Sequence, residues 1–168
     1  MAGKKDRDTD FGAFVKRQQT DERVDWAKER DEWLGHLEEL YGRTESFLAE
    51  YIKNGEIKLE YRDIALNEED IGSYRARQMV LRIGRQQITM TPLGTRLLFT
   101  KGGVDVEGSA GRFRLVLVDG ESSAPKIKVT VGIGGKRVWK IMTSPPVIGY
   151  IEFTRESLFQ ALMEVANG

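Results

Sequence analysis

The sequence predicts an α+β fold: a long N-terminal helix, then a strongly curved antiparallel sheet or partial barrel of about 7–9 short strands, then a C-terminal amphipathic helix. Three observations predict it. Apolar residues recur every seven positions from Trp26 to Phe47. At Ile57 the period drops to two. A new helical stripe begins after Thr154. Residues 1–19 read as a flexible N-terminal segment and 20–168 as one domain. The expected bounds are about 20–54 for the helix, 56–153 for the β region and 155–166 for the last helix.

Residues 1–9 are polar and of mixed charge, a composition that buries little. Phe11, Phe14 and Val15 then form an isolated apolar cluster, suited to docking on the body or on a partner. In the first helix, Trp26, Trp33, Leu40 and Phe47 are seven apart, and Leu37, Thr44 and Tyr51 follow the last three by four. Leu34, Tyr41, Leu48 and Ile52 widen the stripe, which points to packing on a sheet or in a small bundle. Thr20 or Asp21 suits the N-cap and Asn54-Gly55 the stop. Gly42 is the weak point within it.

Ile57, Leu59 and Tyr61 alternate with Lys58, Glu60 and Arg62, as in a half-buried strand. Residues 67–70 read as an acidic loop. Further strands are expected over 78–83, 86–90, 96–100, 104–107, 112–118, 126–131, 137–142 and 147–153. The links between them are too short for helical crossovers, so the sheet should be antiparallel. Strand 112–118 should pair with 126–131, placing Lys126 near Val118 and Arg112 near Gly132. Thr154 caps the last helix, whose apolar face is Leu158, Phe159, Leu162, Met163 and Val165.

Composition excludes several chemistries. There is no cysteine, so disulfides, thiolate ligands and thiol nucleophiles are out. His36 is the only histidine, which removes serine–histidine triads and most zinc sites. No apolar run is long enough for a membrane span, and the polar N-terminus has no secretory core. The expectation is a cytoplasmic chain. Gly132 to Lys136 suggests a phosphate loop, but the following residues read as a strand, so a hairpin turn is the better reading. The helix carboxylates, among them Asp25, Glu29, Glu32, Glu38 and Glu39, read as a wet face. No catalytic residue, metal ligand or cofactor is assigned.

The net charge of zero conceals an asymmetry. Residues 1–70 hold 12 basic and 19 acidic groups, a net of −7, while 71–140 hold 13 and 4, a net of +9. An anion site in the β region would draw on Arg75, Arg77, Arg82, Arg85, Arg112, Arg114, Lys126, Lys128, Arg137 and Lys140, since arginine pairs with phosphate through two hydrogen bonds. On strand 112–118, Arg112 and Arg114 share a solvent face with Val116 and Val118. For a protein interface the anchors would be Phe11, Phe14, Trp26 and Trp33, the tryptophans only if exposed.

A sheet closed by a C-terminal amphipathic helix is similar in architecture to pleckstrin-homology domains, a resemblance that implies phosphoinositide binding. The functional expectation is a non-enzymatic interaction or assembly protein, with a protein partner or self-association. The alternative is an anion-binding module for nucleic acid or a phosphorylated ligand. An enzyme using carboxylates, lysine or tyrosine ranks third.

Overall fold

The computed structural model describes residues 10–16, 25–95, 100–120, 136–143 and 148–167. Within the segment expected to be flexible, residues 10–16 are helical (α1). The long helix α2 spans Trp26–Lys53. It starts later than expected, because the Asp25 carboxylate accepts the Lys28 N–H (3.1 Å) and so caps the first turn. Thr20 and Asp21 lie outside the described residues. The helix runs unbroken through Gly42 and stops at Asn54, with Gly55 at φ 76° turning the chain into the sheet.

Among the described residues, seven strands follow in the order β1-β2-β3-β4-β5-β6-β7, each antiparallel to the next, in an open sheet. They are β1 (Ile57–Glu68), β2 (Gly72–Ile83), β3 (Gln86–Gly94), β4 (Gly103–Gly108), β5 (Gly111–Asp119), β6 (Arg137–Met142) and β7 (Tyr150–Glu152). Asn67 and Glu68 belong to β1, which shrinks the expected acidic loop to residues 69–71. The expected partner of β5 was wrong. Both sides of β5 are taken, by β4 and by β6, with Asp119 opposite Arg137 and Arg114 opposite Met142. The strand expected over 126–131, most of 96–100 and the glycine-rich turn at 132–135 lie outside the described residues.

One row of side chains carries the core across the sheet. Leu81 faces Ile88, Met79 faces Met90, Met90 faces Val106, Val104 faces Leu115, and Leu117 faces Trp139. All are buried. Trp33, Leu37, Leu40, Tyr41 and Leu48 of α2 close over this row, as the seven-residue spacing predicts. The final helix α3 (Arg155–Asn167) adds Leu158, Ala161, Leu162 and Val165. Thr154 and Ser157 form a reciprocal cap on α3: the Ser157 N–H donates to the Thr154 hydroxyl (3.1 Å) and the Thr154 N–H to the Ser157 hydroxyl (2.8 Å). Tyr51 of α2 meets Phe159 of α3 edge-on, and Arg43 of α2 donates to the Phe153 carbonyl (2.8 Å) with its guanidinium over the Phe153 ring.

The β1–β2 ribbon turns over along its length. Near its start the side chains packed into the core are Ile57, Met79 and Leu81, buried, with Leu59 and Tyr61, half-buried; farther out they are Tyr74 and Ala76, buried, with Ile64 and Leu66, half-buried. The pairing does not slip, since Tyr61 faces Met79 and Ile64 faces Ala76 in one continuous register. Twist, which is strongest in two-stranded ribbons, moves the buried face from one set to the other.

Candidate functional site

The basic residues fall into engaged and unengaged groups. Arg77 of β2 lies 3.9 Å above the Tyr61 ring and donates twice to Glu38 of α2, at 3.2 and 2.5 Å. Tyr61 hydrogen-bonds Glu45, and the Tyr41 hydroxyl donates to the Arg77 carbonyl at 2.5 Å. The result is a polar clasp between helix and ribbon. Burial, then the neighbouring Tyr61 hydroxyl, pushes the Tyr41 hydroxyl well above its ordinary range. Burial, then the bond to Glu45, does the same for Tyr61.

On the sheet face away from the helices, Arg82 pairs with Glu60 (3.1 Å) and Arg114 with Asp105 (2.8 Å), each across neighbouring strands. Arg137 reaches Glu32 of α2 at 3.9 Å. Four of the expected anion ligands are therefore already opposite carboxylates. Among the described residues, Arg75, Arg85, Arg112 and Lys140 have no ion pair, but the fold separates them. Arg75 stands opposite Ala65 on the far ribbon and Arg85 in the β2–β3 turn. Arg112 is opposite Glu107, and Lys140 lies between Val116 and Glu152. Lys126 and Lys128 lie outside the described residues. The face bearing Arg112 and Arg114 is also not solvated throughout, since Val116 and Val118 on the same side are buried.

The expected interface anchors divide as sharply. Trp33 is 2% exposed, 5.9 Å from the Trp139 ring and part of the core, so it cannot meet a partner in this fold. Trp26 is half-buried. Phe11 and Phe14 are 66% and 49% exposed, their rings stacked at 6.2 Å, with Val15 beside them on the same face of α1. Sequence reasoning passed over two more exposed apolar residues near the sheet's last strand, Ile148 and Ile151, because their run reads as an ordinary core strand.

A second polar cluster, missed from the sequence, ties the tip of the ribbon to the end of β3. The Glu68 carboxylate accepts the Thr95 N–H (2.9 Å), the Thr95 hydroxyl (2.6 Å) and the Tyr74 hydroxyl (2.5 Å). Burial and that bond push the Tyr74 hydroxyl upward. No sequence signal marks these residues, which come together only through the turn of the ribbon. Among the described residues no group of three or more histidines, aspartates or glutamates is arranged to hold a metal ion. Nor is any helix among the described residues long and apolar enough to cross a membrane.

No family model, no curated protein and no solved structure matches the chain.

Proposed function

We propose that the protein is a non-enzymatic interaction or assembly module, with α1 as a docking element. The observation that carries this reading is the paired exposure of Phe11 and Phe14 on one helical face, with Val15 alongside. Two phenylalanines in water are a standing free-energy cost that a complementary apolar surface removes, and apolar residues at i, i+3 and i+4 suit a helix laid into a groove. The engagement of Arg77, Arg82, Arg114 and Arg137 with carboxylates argues against the anion-binding alternative.

The test compares the full chain with its Phe11→Ser/Phe14→Ser variant as bait in cell extract, with crosslinking before capture. Proteins recovered by the first and lost by the second support the reading. Identical recovery from both overturns it.

A further inference from the structure

Of the two open edges of the sheet, β7 is short at three residues, whereas β1 is 12 residues long. Natural sheets blunt an edge strand with proline, a bulge or brevity. β1 has none of these three and relies on a fourth device, the exposed charges of Lys58, Glu60 and Arg62: its register with β2 is continuous over all 12 pairs and it contains no proline. Among the described residues, the backbone of Ile57–Asn67 pairs only with β2, so its other side presents free N–H and C=O groups.

The side chains along this edge are complementary to themselves. An antiparallel partner strand must place like-oriented residues opposite one another, so the position numbers of each facing pair sum to an even value. Centring the two-fold axis on Leu59 sets Leu59 against itself, Lys58 against Glu60, Ile57 against Tyr61 and Glu56 against Arg62. Every charged pair is then of opposite sign and every apolar pair apolar. Centring on Glu60 instead opposes Glu60 to itself and Lys58 to Arg62. Centring on Tyr61 opposes Leu59 to Asp63. Lys58, Glu60, Arg62 and Glu56 are all exposed, and Lys58 has no ion pair among the described residues.

We infer that β1 is a self-pairing edge: two copies of the chain join antiparallel at Leu59, extending the sheet across a two-fold axis. Such a contact is isologous and closes as a dimer rather than growing into a fibre. It covers roughly 17 Å of strand, the five residues Ile57–Tyr61 at about 3.4 Å each, with Glu56 and Arg62 meeting at its ends. The inference goes beyond the interaction reading: it commits to a second copy as partner and uses a surface other than α1, so the two stand or fall separately.

Sedimentation equilibrium of the full chain, from micromolar to millimolar concentration, tests it. The wild type should form a dimer, and Phe11→Ser/Phe14→Ser should leave its dissociation constant unchanged. Lys58→Glu faces Glu60 of the other copy twice per dimer, and Glu60→Lys faces Lys58 twice. Each alone should weaken the dimer roughly tenfold or more. Mixed together they restore opposite charges at both positions, so the mixture should form heterodimers near wild-type strength. Melting curves of each variant confirm that it folds, a needed control because Glu60 also holds Arg62 and Arg82 in its own chain. A register check that avoids Glu60 uses the absence of native cysteine: Leu59→Cys should crosslink to itself under mild oxidation, and Arg62→Cys should not. A wild type that stays monomeric throughout, a Lys58→Glu dimer as tight as wild type, or equal crosslinking at both positions overturns the inference. A monomer whose α1 still captures a partner would leave the broader reading standing.

Discussion

The six-membered ring of the Trp33 indole occupies the space where a side chain on Gly102 would begin. This contact seats α2 against the start of β4, and the same indole touches Trp139 on β6. Gly102→Ala must displace a buried aromatic group and should cost about 1–3 kcal/mol. Urea unfolding followed by tryptophan fluorescence measures it. Gly42 is the internal control: nothing lies within 4 Å of a β-carbon built there, on an exposed helical position. Gly42→Ala should therefore stabilise the protein by up to about 1 kcal/mol. Equal effects at the two glycines would contradict this account.

The clasp of Arg77 should show a characteristic salt response. Its ion pair with Glu38 is half-exposed and worth little by itself, but its guanidinium also covers Tyr61. Glu38→Gln keeps the stacking and removes the charge pair, so it should cost no more than about 1 kcal/mol, with the loss vanishing in high salt. Arg77→Ala removes both and should cost more, with a part that salt does not erase. Thermal melts of both variants at low and high salt separate the two contributions.

Much of the fold was legible because its signals are local. The seven-residue stripe named Trp33, Leu37, Leu40, Tyr41 and Leu48 as core, Asn54-Gly55 marked the helix end, and Thr154 marked the last cap. These depend on residues a turn or two apart. The turn-over of the β1–β2 ribbon was not legible, because the alternation at Ile57, Leu59 and Tyr61 shifts phase at Ile64 without any glycine, proline or bulge to announce it. The fate of the basic residues was hidden for the same reason. Arg77 and Glu38 are 39 positions apart, and only the docking of α2 on the ribbon brings them together. Segment charge counts showed an acidic helix ahead of a basic sheet but could not show that they neutralise each other at Arg77 and Arg137. For Phe11 and Phe14 the sequence left docking on the body or on a partner open, and the structure leaves both exposed.

Alkaline pH should unfold the protein through its tyrosines. Tyr41, Tyr61 and Tyr74 all have hydroxyls pushed above the ordinary value of 10, chiefly by burial. Below pH 10 these groups are neutral in both folded and unfolded chains and have no effect on the balance. Above it, the unfolded chain ionises while the folded chain resists, so stability falls as pH rises. For Tyr41, the most buried of the three, the loss approaches about 1.4 kcal/mol per pH unit. Tyr41→Phe should flatten the decline of melting temperature above pH 10, at some cost at neutral pH from the lost bond to the Arg77 carbonyl. An unchanged slope in that variant would refute the assignment.

The C-terminal end of α3 is held by the β4–β5 turn. The Ala110 N–H donates to the Val165 carbonyl (2.8 Å) and the Ser109 hydroxyl to the Ala166 carbonyl (2.7 Å). Both bonds satisfy carbonyls that a helix end otherwise leaves unpaired. Gly108 permits the approach, since a β-carbon there would collide with the Val165 carbonyl oxygen. Ser109→Ala removes the bond to the Ala166 carbonyl together with the hydroxyl's contact to the Gln86 side chain (2.8 Å), both exposed, and should cost about 0.5–1.5 kcal/mol. Gly108→Ala must push the turn and the helix apart, breaking both bonds, and should cost more. Hydrogen exchange distinguishes the mechanism from general destabilisation: in Gly108→Ala the amides of α3 should lose protection well before those of α2, because Leu158, Leu162 and Val165 reach the core only while this end stays docked. Uniform loss of protection across both helices would mean that the turn is not what seats α3.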